Sequence, residues 1–208
     1  MAFFSKIIYL VLGIFKAYVP YINNGDTMSL KKIILISIFV IFLLSFPSHF
    51  MFDLFPNVLI SFFFPVNESI WEHMKILYTS ILLGNIVKYW LLKHYKISFN
   101  NFSFSLVISS FSAVIIYLLI YIPLYAILGE NMFISIALML LVYVIVEMFS
   151  YFILRFKQVR YINSLGYVFI IIGYVIFIYF TYKPIYNYLF YDTLNGCYGI
   201  NEIICKEK

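Results

Sequence analysis

Charge is what this chain has least of. Asp, Glu, Lys and Arg make up 11% of its 208 residues, while 64% are hydrophobic. An average soluble chain carries about 25% charged residues, so a water-soluble globule is excluded. The apolar runs are instead of bilayer-spanning length. A nucleic-acid partner is not expected either. The net charge is +5, but no hydrophilic stretch interleaves basic residues with aromatics. The basic residues stand at the ends of apolar runs, where they set topology and meet the headgroups of membrane lipids. No small-x-small cleavage site follows the first apolar run, so a signal peptide is not expected. Cysteine occurs twice, at Cys197 and Cys205, and two cysteines eight apart are slender ground for a disulfide.

What remains reads as an all-α integral membrane bundle forming one polytopic domain over 28–200. An interfacial helix and linker precede it at 1–27, and a polar tail follows at 201–208. Residues 3–19 are short for a span and interrupted by Lys6 and Lys16, the pattern of an amphipathic surface helix. Five spans are expected at about 33–52, 67–92, 104–125, 132–154 and 162–182. Lys31 and Lys32 precede the first span; Lys88, Lys93 and Lys96 end the second; Arg155, Lys157 and Arg160 separate the last two. The connectors at 53–66 and 126–131 hold Asp53 and Glu130 but no Lys or Arg. The positive-inside rule then places residue 31 in the cytoplasm and the tail after Lys183 outside. Val58 to Phe64, bracketed by Pro56 and Pro65, is too apolar for an exposed loop and too short to span. It predicts a re-entrant half-helix before Asn67, which is placed to cap the long helix that follows. Gly166 and Gly173, seven apart on one face of the last span, predict close helix packing.

Against this apolar background one stretch stands out, Pro65-Val66-Asn67-Glu68-Ser69-Ile70-Trp71-Glu72-His73-Met74-Lys75. An ionisable group on a membrane helix costs roughly 2.5–3.5 kcal/mol even on insertion scales. Four within eight positions predict a site. A helix from Asn67 would put Glu68 and Glu72 on one face, with Asn67, Trp71 and Lys75 flanking it and Ile70, Met74 and Leu77 opposite, facing lipid. The first span ends with His49 and Asp53, again four apart. By helix rise His49 lies about 6 Å, and His73 about 9 Å, from the outer ends of their spans, so both belong to one level. The expected site therefore joins His49, Asp53, Glu72 and His73 as metal ligands, with Glu68 or Glu72 as general base on a metal-bound water. Mixed imidazole and carboxylate donors suit zinc, manganese or iron. The spacing matches no motif such as His-Glu-x-x-His. Ser45, His49 and Asp53 do not make a serine-hydrolase triad, because eight residues of helix span about 12 Å. A haem between the histidines is disfavoured by the crowd of acids. Glu147 lies about 22 Å from the outer end of its helix and reads as a packing residue; coupled to Glu72 it would instead mark a proton route. Asp192, in an aromatic tail with glycine turns, would join the acidic cluster if that tail folds over the site.

His49-Phe50-Met51-Phe52-Asp53, the run from Pro65 to Lys75, and Asp192 with Gly196-Cys197-Tyr198-Gly199-Ile200 together resemble a family of small bacterial membrane proteins. That family is common in Gram-positive anaerobes and catalogued as a domain of unknown function. The resemblance covers about Met28 to Ile200 and implies one recurring polar pattern, without lending it a chemistry. Three functions stay open on the residues alone. The first is a metal-dependent membrane hydrolase acting on a lipid or envelope substrate. The others are an ion- or proton-coupled transporter using the same acids, and a scaffold or immunity-type protein in which the polar groups satisfy one another.

Overall fold

The computed structural model describes residues 28–129 and 131–200. The expected surface helix at 1–27, Glu130, and the tail with Cys205 lie outside the described residues. Helix α1 runs Leu30–Leu54 from a Ser29 cap whose hydroxyl accepts from Lys32 N. The short α2, Val58–Phe63, starts at Asn57, whose side chain accepts from Ile60 N. Then come α3 (Ile70–His94), α4 (Phe102–Leu128), α5 (Met132–Arg155) and α6 (Arg160–Tyr182). The tail ends in two short antiparallel strands, β1 (Tyr191–Asp192) and β2 (Cys197–Tyr198), with Tyr191 opposite Tyr198. An all-α membrane bundle is therefore the architecture.

Four helices, α1, α4, α5 and α6, are long and apolar enough to cross a bilayer. The remaining expected span, 67–92, is α3, which has the length at 25 residues but carries Glu72, Lys75 and Lys88. It lies against α1 on one side and α4 on another, and its charges turn inward to full burial. Burial also corrects the expected lipid face of α3. Met74 and Leu77 are in the central core with Ile41, Tyr78, Ile81, Val142 and Tyr143, and Ile70 packs against that core. The buried charges of α3 are paired, Glu72 with Lys75 and Lys88 with Glu147, so the helix does not divide into one wet and one oily face.

Three glycines set helix spacing. A Cβ on Gly166 would stand 2.8 Å from the Ser103 carbonyl carbon, and one on Gly84 would overlap the Ile41 side chain. Gly166 and Gly173 thus do allow the close packing their spacing predicts; at Gly173 the neighbour is the Tyr78 ring.

The half-helix α2 enters the bundle beside α3. Its last carbonyls have no turn to follow them, and α3 supplies the donors. Lys75 Nζ donates to Ser61 O at 2.9 Å and Thr79 Oγ1 to Phe63 O at 2.6 Å. Thr79 is nine residues into α3, about 14 Å along its axis, so α2 reaches well past the end of the bundle. Broken backbone at membrane depth needs such internal partners.

Candidate metal centre

The site forms where α1 ends and α3 begins. His49 projects from the penultimate turn of α1 and His73 from the first turn of α3, with ring centroids 5.2 Å apart. Glu68 comes from the bent segment just before α3. Its Oε2 stands 3.5 Å from His49 Nε2 and 3.4 Å from His73 Nε2, and the three side chains are 28 to 30% exposed. One donor atom from each residue lies within 4.8 Å of the other two.

Local chemistry explains why Glu68 reaches the histidines. The helix cap is Ser69, not Asn67: Ser69 Oγ accepts from Glu72 N, while Asn67 Oδ1 turns back to accept from Ser69 N. Glu68 is therefore off the helix and free of its 100° periodicity. Its backbone N–H donates to Asp192 Oδ2 at 3.2 Å, which ties it to the tail. His73 Nδ1 lies 2.9 Å from Ser69 O. A carbonyl only accepts, so that nitrogen carries a proton, and Nε2 is the ring nitrogen turned to Glu68. His49 Nδ1 is buried without a hydrogen-bond partner among the described residues.

Two ring nitrogens and a carboxylate oxygen at these distances are held together either by protons on the nitrogens or by a cation shared among all three. Zinc holds nitrogen and oxygen donors at about 2.0–2.2 Å, and tetrahedral geometry then separates donors by about 3.3–3.6 Å. The observed 3.4 and 3.5 Å fall in that range. Partial exposure leaves room for a fourth, non-protein ligand.

The other expected site residues lie elsewhere. Glu72 is 1% exposed and turned away from the histidines. Its Oε2 pairs with Lys75 Nζ at 2.7 Å and accepts from Val66 N; its Oε1 accepts from Thr181 Oγ1 at 2.7 Å. Lys75 thus neutralises Glu72 while holding α2. Asp53 is exposed at the end of α1, one turn beyond His49. Trp71 packs its ring on Phe177, Phe180 and Phe190, and its backbone N–H donates to Leu189 O. It anchors the tail. Asn67 Nδ2 does the same through Gly199 O, 3.3 Å away. Ser45 donates to Phe42 O.

Glu147 is at the far end of the bundle, fully buried, with both oxygens 2.9 Å from Lys88 Nζ. Ser150 Oγ, which meets Ser105, completes the group at 2.7 Å from the same ammonium. Lys88 is accordingly a buried partner of Glu147 and does not belong with the headgroup lysines.

Asp192 sits under the tail hairpin, buried. Its Oδ1 accepts from Leu194 N and Asn195 N, and its Oδ2 from Asn195 Nδ2 at 2.6 Å and from Glu68 N. Burial alone would raise its carboxyl; these donors outweigh burial and hold it below the ordinary carboxylate range. A depressed folded-state value adds stability above the unfolded carboxyl's range, and that stability is lost as pH falls through the folded value. The gap in unfolding midpoint between wild type and Asp192→Asn should therefore be constant at neutral pH and close below about pH 4. A gap unchanged down to pH 2 would show that the carboxylate charge is not what holds the hairpin.

Residues 22–200 match a family of unknown function (DUF6512). The chain belongs to this family. No curated protein and no solved structure matches it. The matched span takes in every donor of the His49–Glu68–His73 group and the tail that holds Glu68. In this DUF6512 protein all three side chains thus fall inside the family domain, whose function is unknown.

Proposed function

We propose that this membrane protein is a metal-dependent hydrolase whose centre is His49, Glu68 and His73. The observation that carries the reading is that two imidazole Nε2 atoms stand 3.5 and 3.4 Å from one carboxylate oxygen, with a donor atom of each residue within 4.8 Å of the other two. Two histidines and a glutamate, with a fourth position left open, are the donor set of catalytic zinc sites. His49, Glu68 and His73 would hold a divalent ion, which would supply an activated water for hydrolysis. Ser69 O orients His73, and Asp192 positions the Glu68 backbone. Glu72 is spoken for by Lys75 and Thr181, so Asp53, one turn beyond His49 and exposed, would be the carboxylate left to serve as general base there.

The substrate is assigned by place. The centre lies at the mouth of a membrane bundle, where a lipid or envelope molecule presents its polar bond. The clustering of Lys31, Lys32, Lys93, Lys96, Arg155, Lys157 and Arg160 at the opposite end supports an extracytoplasmic position by the positive-inside rule. Against transport, Glu72 and Glu147 each hold a buried lysine of their own, so neither waits for a cation.

Elemental mass spectrometry of detergent-purified protein tests this. Wild type prepared without chelators should hold close to one zinc, manganese or iron per chain, and His73→Ala should lose it. Metal in neither protein would end the hydrolase reading.

A further inference from the structure

On the flank of the bundle, between α2 and the end of α6, a groove of about 420 Å³ is lined by Val58, Phe62, Ile178, Tyr179, Tyr182 and Lys183. This is within the size of ligand sites in general. Its walls are held together: Ser61 Oγ and Tyr182 OH are 2.9 Å apart, and the Phe62 and Tyr182 rings meet edge to face. Val58 and Tyr179 are more than half exposed at 60% and 55%, on a surface that a membrane protein presents to acyl chains. Five of the six lining residues are apolar or aromatic. The sixth, Lys183, follows the last turn of α6 with its ammonium 5.9 Å from the Tyr179 ring centroid.

The position of that lysine matters. Among the described residues at the end of the bundle where α1, α4 and α6 finish, the lysines and arginines are Lys75 and Lys183. Lys75 is buried on Glu72; Lys183 is exposed. Among the described residues, the exposed lysine of this end therefore stands on the lining of its apolar groove. Ile178 is five residues below Lys183, about 7 Å along the helix, so the groove runs from headgroup level into the acyl region.

We propose that this groove binds an anionic phospholipid, with an acyl chain against Val58, Phe62 and Ile178 and the phosphate at Lys183. The cation selects charge and the groove selects the chain. This site is separate from the metal centre and stands or falls on lipid retention, without reference to hydrolysis.

The test is native mass spectrometry of the full chain released from mixed phosphatidylglycerol and phosphatidylcholine bilayers. One phosphatidylglycerol per chain should be retained about fivefold over phosphatidylcholine, the effect of one basic residue near the surface. Lys183→Gln should bring the ratio to about one, and Lys183→Arg should keep it. Val58→Trp, on an exposed wall, should fill the groove and lower retention of both lipids. The proposal is overturned by equal retention in wild type or by a preference that survives Lys183→Gln. Retention indifferent to Val58→Trp would mean surrounding bilayer lipid only. Displacement by millimolar inorganic phosphate would mean that the lysine binds phosphate without the chain, and would overturn the lipid assignment.

Discussion

Replacing Lys88 by Met is expected to cost about 3–5 kcal/mol of stability, because it leaves the Glu147 carboxylate buried without its partner. Both side chains are fully buried, and the ammonium makes two 2.9 Å bonds to the carboxylate and one of 2.7 Å to Ser150. The energy lies in the broken pair rather than in the pair as such. Two charges taken out of water lose hydration that their attraction only partly returns. The double variant Lys88→Met, Glu147→Leu should therefore recover most of what Lys88→Met loses. Denaturant titration of the three proteins in detergent measures this. A single variant as stable as wild type, or a double variant weaker than the single, would show that the pair is not what joins α3 to α5.

How much of this could be read before the structure is seen differs sharply between bundle and site. Bilayer-length apolar runs are a coarse signal that survives small errors, so the helices appear within a few residues of their expected ends. The half-helix was legible for the same reason: an apolar run between prolines and too short to span has few alternatives. The site turned on a finer matter, whether α3 starts at Asn67 or Ser69. Starting the helix at Asn67 puts Glu68 and Glu72 on one face; starting it at Ser69 sends them opposite ways. A signal for Ser69 was present. Ser69 and Glu72 have the spacing of a capping box, and Ser69 Oγ does accept from Glu72 N. In the structure the Glu72 side chain leaves that motif to accept from Val66 N and to meet Lys75. The partners of Lys75 and Lys88 were less legible. Ser61 O is 14 residues away and Glu147 is 59, and no periodicity on α3 encodes contacts of that range. A lysine near a helix end reads as a headgroup anchor until its partner is found.

Glu68 and Glu72 now make opposite predictions, and the pair tests the site more sharply than either alone. Glu68 is 30% exposed, and its carboxylate meets only the two histidines among the contacts described. Glu68→Gln should therefore leave the unfolding free energy within about 0.5 kcal/mol of wild type. Its effect should fall on the metal. Loss of an outer partner of a metal ligand costs 10- to 100-fold in affinity, so loss of a ligand's charge should weaken binding by at least about 100-fold. Glu72→Gln reverses both outcomes. It leaves the Lys75 ammonium buried beside an uncharged amide, at a cost of about 3–5 kcal/mol, and loosens α2 through the same lysine. The fraction that still folds should hold its metal as tightly as wild type, since Glu72 faces away from His49 and His73. Isothermal titration with zinc, alongside denaturant titration, reads both axes. If Glu72→Gln abolished binding in folded protein while Glu68→Gln bound normally, the centre would have to be rebuilt around Glu72, and the start of α3 with it. Metal chemistry and bundle integrity are thus carried by two carboxylates four residues apart, and the cap at Ser69 is what sends them to different tasks.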